Sequence, residues 1–348
     1  MSHVLIDKYR QFKNWKHIVW NAHRDYNIPF SKRVKYAFRG FSVDEYVWYN
    51  LEKNDYKDYI SEYERMQARE INGPYKFILD DKLIFEEVVG KYVRVPKNYA
   101  WIKNGSVYEL HDSGINNSNI AESLKKFGTT VLKWNGRGGG EGTYVISWKD
   151  DAFDVNGERK DSEAVEKLFD RHGEAILCEY MTQSSFAASL YPHTTNTIRI
   201  VCAKKKGEHD ARFITAIQRV GCQDSIPVDN VSSGGLTLEI NPETGELGEG
   251  IAKYGRKDRV MVPFKNHPDT DEPFVGKKIP DWNNLVKQIV DLTNKFPYLN
   301  FVAWDILLTE EGFCMIEGNA SSGCGIFQMK KGVKDSALGD VLRSYKII

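Results

Sequence analysis

The chain has 348 residues, and its 48 Lys and Arg residues are balanced by 48 Asp and Glu residues. This length allows two or three structural units with substantial cores, and the balanced charge gives no reason to expect a nucleic-acid partner. No run of about 18 apolar residues occurs, so no spanning helix is expected, and the first residues lack the apolar core of a secretory signal. The five cysteines form no CxxC pair, which favours reduced thiols in a cytoplasmic protein.

The first 72 residues predict a mostly helical region, because the segment from residue 51 to residue 73 is charged, periodic and free of proline. Residues 1–40 carry nine Lys or Arg against two Asp, with aromatic residues interleaved. Such a segment suits peripheral contact with an anionic membrane surface or with a phosphorylated partner. The alternative is an amphipathic helix that packs on its own domain.

From about residue 75 onward, short strands alternate with helices and turns, which indicates an α+β architecture. A helix is expected from Ser118, as its cap, to Gly128. Residues 129–181 predict a compact unit in which a glycine-rich loop joins two strands, followed by a helix and another strand. The remainder is richer in strands, with a helix from Asp281 to Lys295 before the last hairpin.

The sequence VLKWNGRGGGEGTYVI, residues 131–146, places five glycines between two β-rich runs. Such a loop brings backbone N–H groups close to an oxyanion. It lacks the Lys-Ser/Thr ending of a P-loop, and Glu141 replaces the last glycine of the dinucleotide fingerprint. Because Lys133 precedes the loop on its strand, the pattern predicts a lid over a nucleotide, with a plain glycine-rich surface hairpin as the alternative.

The segment AILCEYMTQ, residues 175–183, predicts a strand that runs into a connector. Nucleotide pockets often bind adenine through the backbone of such a connector, with apolar side chains on both sides of the ring. Glu179, Tyr180 and Met181 are the candidate residues. The alternative is an ordinary core strand.

Two polar residues, Asn196 and Arg199, interrupt the otherwise apolar β-rich run NTIRIVC. A buried arginine needs a partner, and its planar fork suits phosphate or carboxylate. Arg219 and Asn230 are expected to converge on the same place. The alternative is a structural salt bridge from Arg199 to a core acid.

The segment FVAWDILLTEEGFCMIEGN predicts a hairpin with a three-residue Glu-Glu-Gly loop. In that register Thr309 faces Phe313, Asp305 faces Glu317, and Asn319 shares their side of the sheet. Like charges that face each other destabilise a strand pair, so a bound cation would explain them. Oxygen donors of this kind suit Mg²⁺, and the alternative is a solvated hairpin face.

Taken in this order, the segments DDKLIFEEVV, VLKWNGRGGGEGTYV, ILCEYM, NTIRIVC, DNVSSGG and WDILLTEEGFCMIEGN resemble the ATP-grasp superfamily over about residues 75–330. The sequences of these segments resemble most closely those of the sugar-transfer-associated ATP-grasp group, which is linked to cell-surface polysaccharide synthesis. The resemblance implies an ATP-grasp fold in which two α+β subdomains clasp ATP behind a helical N-terminal region. The expected units are 1–74 (helical region), 75–128 (first α/β part), 129–182 (glycine-rich lid) and 183–348 (C-terminal subdomain with the metal site).

The resemblance also implies residue roles, with ATP and Mg²⁺ as cofactors. One or two Mg²⁺ ions, or Mn²⁺ in their place, would lie between the β- and γ-phosphates. The implied contacts are Lys133 to the α-phosphate, Gly138, Gly139 and Gly140 as the lid, Glu179, Tyr180 and Met181 at adenine, Asp305, Glu317 and Asn319 at the metal, and Arg199, with Arg219 and Asn196, near the transferred phosphoryl group.

The chain departs from the family pattern at two positions. Many members have a second nucleotide-binding lysine where this sequence has Glu86 and Glu87, and Lys82 is the nearest replacement. The usual ribose-binding acid is also missing, because Phe186 stands near its place, and Gln183 is its candidate substitute.

The resemblance implies an ADP-forming ligase that activates a carboxylate as an acyl-phosphate for attack by an amine, with small, sugar-linked substrates. One alternative is a kinase that phosphorylates a sugar or another hydroxyl compound at the same nucleotide site. Another is a non-catalytic nucleotide-binding component of a glycan-assembly complex, which the basic, aromatic N-terminus would fit. The sequence identifies neither substrate and gives no oligomeric state.

Overall fold

Two separate antiparallel sheets and a helical N-terminal region make up the fold. The computed structural model describes residues 3–22, 24–136, 142–170, 173–252, 263–328 and 330–348, and it leaves out the side chains of residues 3–8 and 324. Within those ranges the chain forms eleven α-helices and thirteen β-strands.

The N-terminal region is helical, as predicted, but its helices are short and locally capped. Ser42 and Ser61 each form a capping box. The serine hydroxyl accepts the backbone N–H of the glutamate three residues later, and the carboxylate of that glutamate accepts the backbone N–H of the serine. The helical segment predicted over residues 51–73 is therefore interrupted, since its helix starts only after Ser61. The helices are α1 (His3–Trp15), α2 (Phe30–Ala37), α3 (Val43–Trp48), α4 (Glu62–Ala68), α5 (Phe77–Asp80) and α6 (Lys82–Val89), with a π-helical turn at Lys16–Trp20.

Aromatic rings at the start of the chain form a contiguous group that reaches the surface. We call this group the aromatic platform; its members are Phe12, Trp15, Trp20, Phe30 and Phe38, with neighbouring ring centroids 5.8 to 6.3 Å apart. Three of them are largely exposed: Phe12 at 58%, Phe30 at 69% and Phe38 at 79%. The guanidinium of Arg33 lies 4.1 Å from the ring centroid of Trp20. This surface combines exposed apolar rings with positive charge.

The first sheet has seven strands in the order β2-β1-β7-β3-β4-β5-β6, and all neighbours are antiparallel. Helices α7 (Ile120–Phe127) and α8 (Ser162–Asp170) contribute to its hydrophobic core. Because β1 pairs with β7, the segments expected as separate units over 75–128 and 129–182 share one sheet. The strands are β1 (Asn98–Lys103), β2 (Ser106–Glu109), β3 (Thr130–Trp134), β4 (Tyr144–Lys149), β5 (Ala152–Val155), β6 (Glu158–Lys160) and β7 (Glu174–Glu179).

The second sheet has six antiparallel strands in the order β11-β10-β9-β8-β12-β13. One face packs against α10 (Trp282–Asn294) and α6, and includes the fully buried Trp304. The strands are β8 (Ile198–Ala203), β9 (Arg212–Val220), β10 (Leu236–Ile240), β11 (Leu247–Ala252), β12 (Phe301–Thr309) and β13 (Gly312–Asn319), and the remaining helices are α9 (Ser185–Leu190) and α11 (Ala337–Ser344).

The N-terminal region is bonded directly to the second sheet. Asn72, which is buried, donates to the carbonyl of Phe301 at 2.7 Å and accepts the N–H groups of Asn300 and Phe301. The buried amide of Gln328 pairs with both backbone groups of Ile60, at 2.6 and 3.0 Å. The start of β12 is therefore held by residues far away in sequence.

None of the helices in the described ranges is long and apolar enough to cross a membrane.

Candidate functional site

The hairpin of β12 and β13 brings Asp305 and Glu317 face to face, through a register that differs from the prediction. The turn contains only Glu310 and Glu311, so Thr309 pairs with Gly312 and the predicted pairing with Phe313 is wrong. A β-bulge between the pairs Ile306–Met315 and Asp305–Glu317 inserts one extra residue on β13. The shorter turn and the bulge shift the register by one residue in opposite directions, so Asp305 still lies opposite Glu317.

Asp305 is the centre of a buried network of charges. Its Oδ1 accepts Arg199 Nε at 2.6 Å, and its Oδ2 accepts Arg199 Nη2 at 2.6 Å and Arg219 Nη1 at 2.7 Å. Arg219 continues the network through an ion pair with Asp229 and a 3.1 Å hydrogen bond to Asn230 Oδ1. Arg199 thus has the carboxylate partner that a buried guanidinium needs, and Arg219 and Asn230 converge on the same place.

The two facing carboxyl groups are electrostatically different. Burial and the charge of Asp305 both raise the pKa of Glu317. Burial would also raise the pKa of Asp305, but the positive charges of Arg199 and Arg219 hold that pKa below its usual value. The two facing carboxyl groups are therefore unequal: Asp305 favours the ionised form and Glu317 the protonated form.

A cleft between the two sheets contains this carboxyl pair on one wall and two lysines on another. Lys82 opens α6, and its backbone N–H donates to Asn135 Oδ1 at 2.9 Å. Asn135 Nδ2 in turn donates to Asp81 and Glu174, which fixes the start of α6 against the first sheet. Burial lowers the pKa of Lys82, and the charge of Glu317 opposes that shift. The cleft-lining residues are Lys82, Pro96, Val131, Lys133, Trp134, Thr143, Val145, Cys178, Glu179, Tyr180, Met181, Thr195, Thr197, Arg219, Pro227, Val228, Asp229, Asn230, Asp305, Ile316 and Glu317.

The end of β7 forms the apolar part of this cleft. Glu179, Tyr180 and Met181 all line it, beside Val131 and Val145 of the neighbouring strands. Glu179 is held by an ion pair with Arg94. The backbone groups of Met181 form no hydrogen bond with any residue in the described ranges. This edge of the cleft therefore combines apolar side chains with backbone groups that a planar heterocycle can use.

Four predicted site residues in the described ranges do not line the cleft: Arg199, Asn319, Asn196 and Gln183. Arg199 lies behind the lining residue Asp305, to which it is ion-paired, whereas Asn196 and Gln183 are hydrogen-bonded to each other. Asn196 Nδ2 donates to Gln183 Oε1 and to the carbonyls of Ala187 and Tyr191, and its Oδ1 accepts from Thr194 and from the N–H of Gly221. Gln183 Nε2 also donates to carbonyl groups of the following loop. Their amides are engaged in holding the connection between β7 and β8, which leaves them poorly placed to bind a ligand. Gly138, Gly139 and Gly140 lie outside the described residues.

Asp229 and Thr197 are cleft residues that sequence reasoning missed. Asp229 Oδ2 accepts the backbone N–H of Thr197 at 2.8 Å and its hydroxyl at 2.6 Å, while Oδ1 binds Arg219. Asp229 begins the segment DNVSSGG, which carries part of the family resemblance, but the sequence predicts no role for its carboxylate. Asp229 therefore orients Arg219 toward Asp305.

The oxygen donors around Asp305 fit a hard divalent cation. Within the described residues no three His, Cys, Asp or Glu side chains form a metal-binding group, so a third side-chain donor must be of another type. Asn319 lies two residues beyond Glu317, and its Nδ2 donates to the Ala303 carbonyl at 3.4 Å. Its Oδ1 is therefore the atom that it can offer to a cation. Two carboxyl groups that face each other across a strand pair are a natural place for a cation.

Comparison with known proteins gives a family match and distant structural similarity. The family model described as sugar-transfer associated ATP-grasp matches residues 62–341. A search of curated proteins gave no match. Similar solved structures include an ADP complex of an N5-carboxyaminoimidazole ribonucleotide synthetase (11% identity, TM-score 0.41, covering 76% of this chain and 51% of that one). They also include the ATP-grasp ligase PsnB with minimal precursor, Mg and ADP (14% identity, TM-score 0.39, covering 80% of this chain and 60% of that one). A third is a D-alanine–D-alanine ligase from Bacillus anthracis (12% identity, TM-score 0.37, covering 78% of this chain and 63% of that one).

The chain spans 51 to 63% of the length of these three solved proteins. The family model, by contrast, covers most of the chain, from α4 to the last helix. The chain belongs to the sugar-transfer-associated ATP-grasp family.

Proposed function

We propose that the protein is an ATP- and Mg²⁺-dependent ligase that activates a carboxylate as an acyl-phosphate and joins it to an amine. The observation that carries this proposal is the convergence, in one cleft, of the carboxyl pair Asp305 and Glu317 with Arg219, Lys82 and Lys133. Phosphoryl transfer needs positioned positive charge more than it needs a protein nucleophile.

In the proposed reaction, a carboxylate oxygen of the substrate attacks the γ-phosphorus of ATP. The bond from that phosphorus to the β,γ-bridging oxygen breaks, and ADP leaves. The amine nitrogen then attacks the acyl carbon, the bond from this carbon to the phosphate oxygen breaks, phosphate leaves, and the nitrogen loses a proton to solvent. Both steps accumulate negative charge on phosphoryl oxygens.

Arg199 and Arg219 are proposed to stabilise that charge. Arg199 uses Nε and Nη2 on Asp305. The guanidinium group carries five N–H donors, so it retains donors for a phosphoryl oxygen. Lys82 and Lys133 would contact the nucleotide phosphates, and Tyr180 and Met181 would flank the adenine. Mg²⁺, held by Asp305, Glu317 and Asn319, would neutralise charge on the β- and γ-phosphates.

The test of this proposal is product analysis with ATP and Mg²⁺. Polysaccharide-related carboxylates and amines would be screened in pairs for ADP, free phosphate and product mass. A ligase requires both co-substrates for full turnover and releases phosphate, whereas a kinase leaves the phosphate on its product. ADP formation with a hydroxyl compound alone would therefore favour the kinase reading over the ligase.

We also propose that the substrates are sugar-linked and that the protein works at an anionic membrane surface. The family description supports the first part. The N-terminal region supports the second part. It carries the exposed rings of the aromatic platform, and its residues 1–40 include nine basic and two acidic residues in a chain that is neutral overall. The other 308 residues consequently have a net charge of −7. This segregation would orient the N-terminal region toward anionic lipid.

A further inference from the structure

A second cavity lies over the outer strands of the second sheet. It has a volume of ≈ 550 Å³. Its floor is formed by β9, β10 and β11, and its wall by the segment that follows β13. The lining residues that matter are Ile217, Thr237, Glu239, Glu249, Phe327 and Lys330.

Strand register places this cavity on the same face of the sheet as the carboxyl pair. Directly paired residues run across the strands in the order Glu317, Asp305, Arg199, Ile217 and Glu239. Neighbouring strands are about 4.8 Å apart, so Glu239 lies about 14 Å from Asp305 along this row. The cavity therefore lies beside the carboxyl pair on the same face of the sheet.

The hydroxyl of Thr237 in this cavity has no hydrogen-bond partner among the described residues, although the residue is only 2% exposed. An unsatisfied buried hydroxyl is energetically unfavourable and requires an explanation. Thr237 pairs in register with Arg219, so it lies next to the proposed catalytic charges. A ligand hydroxyl that enters from the cavity would satisfy it.

The same cavity already holds an ammonium group between two carboxylates. Lys330 Nζ lies 2.7 Å from Glu239 Oε2 and 3.3 Å from Glu249 Oε2. All three side chains are partly exposed, so the ammonium group of Lys330 can be exchanged for another. The two carboxylates thus converge on a position that accommodates a primary ammonium group.

We propose that this cavity binds the far end of an extended substrate, and that this end carries both an ammonium group and hydroxyl groups. The inference rests on the proposed ligase function, which places the reacting end of the substrate at Arg199. The ammonium group is held by Glu239 and Glu249, and a hydroxyl group binds Thr237. A substrate that spans both regions is at least about 10 Å long, which corresponds to two strand spacings.

The test uses glucosamine as a probe of the far end, with binding to the full chain measured by saturation-transfer NMR. N-acetylglucosamine has the same ring without the charge, so it is expected to bind about tenfold more weakly than glucosamine. Glu239→Gln and Thr237→Val are each expected to weaken glucosamine binding about tenfold, and Lys330→Ala to strengthen it by removing the internal competitor. Glu243→Gln, an exposed glutamate outside the cavity lining, is the matched control.

Equal glucosamine binding by wild type, Glu239→Gln and Thr237→Val would overturn the inference, as would no glucosamine binding by the wild type. ATP binding, measured on the same samples, is expected to be unchanged in all four variants. A wild type that binds glucosamine through Glu239 but never forms ADP would contradict the proposed ligase and leave the amine site standing. The two failures are thus distinguishable.

Discussion

Replacement of Asp305 by Asn tests how strongly the buried charge network depends on one carboxylate. Asp305 is 2% exposed and neutralises both Arg199 and Arg219, whose side chains are 13% and 8% exposed. Asn keeps the shape but removes the charge, so two buried guanidinium groups lose their shared partner. Removal of one member of a buried ion pair costs about 3–5 kcal/mol of unfolding free energy. We expect Asp305→Asn to fall in that range.

Urea unfolding followed by tryptophan fluorescence measures this loss. Trp304 precedes Asp305 on β12 and is fully buried, so its emission reports on the unit that contains the network. With a denaturant slope of about 2–3 kcal/mol per molar, the unfolding midpoint should fall by about 1–2.5 M. The matched control is Asp291→Asn, which breaks an exposed pair with Lys287 on α10 and should cost about 0.5 kcal/mol or less.

A loss below about 1 kcal/mol in Asp305→Asn would refute the reasoning, because it would mean that solvent already screens the two guanidinium groups. A double-mutant cycle with Arg199→Met adds a second check. If Asp305 and Arg199 are coupled, the arginine substitution should cost less in the Asp305→Asn background than in the wild type.

Other predictions concern the cleft, the N-terminal junction and the aromatic platform. The raised pKa of Glu317 means that the folded state binds a proton more tightly than the unfolded chain, so the stability of the metal-free protein should fall as pH rises through that pKa. Thermal unfolding measured across pH should show this loss in the wild type but not in Glu317→Gln. The same variant should also lose Mg²⁺-dependent turnover. Because burial lowers the pKa of Lys82, acylation at mildly alkaline pH should modify Lys82 before surface lysines, and ATP should protect it, as peptide mass spectrometry would show. Asn72→Ala removes two buried hydrogen bonds and one partly buried one, and should lower the unfolding free energy by about 2–4 kcal/mol in urea titrations. A loss under about 1 kcal/mol would contradict the role of Asn72 in joining the N-terminal region to β12. The wild type should co-sediment at low salt with vesicles that contain phosphatidylserine. The double variant Phe30→Ser/Phe38→Ser should bind these vesicles at least about tenfold more weakly, because both rings are exposed. Equal co-sedimentation of the two proteins would exclude the aromatic platform as the membrane contact.

The sequence analysis and the structure both place Asp305 opposite Glu317, but through different registers. Side-chain alternation is visible in the sequence, whereas the turn length and the bulge are not. The sequence favoured a three-residue loop with Gly312 at its end, but the structure uses two residues and restores the register with a bulge. A bulge leaves little trace in residue pattern, because it depends on how the strand meets its neighbours.

The roles of Asn196 and Asp229 could not be predicted for a related reason. Asn196 is polar in an apolar run, which marks either a ligand contact or a structural hydrogen-bond centre. The structure favours the second reading, because the carbonyls that bind Asn196 belong to the loop around Tyr191. Conversely, Asp229 lies in a loop of ordinary polar composition, and only the tertiary fold brings it to Arg219. Local patterns identify residue chemistry, whereas the partner depends on the fold.

The pairing of Gln328 with Ile60 means that the part of the chain matched by the family model, which starts at residue 62, is not structurally independent of the residues before it. Gln328 and the first part of α11 lie within the matched range, yet they pack against a backbone segment just before that range. Ile60 is also fully buried against Leu338, Val341 and Leu342. Any truncated form should therefore retain residue 60 and its neighbours, and force applied to the N-terminal region would be transmitted to the sheet that carries Asp305.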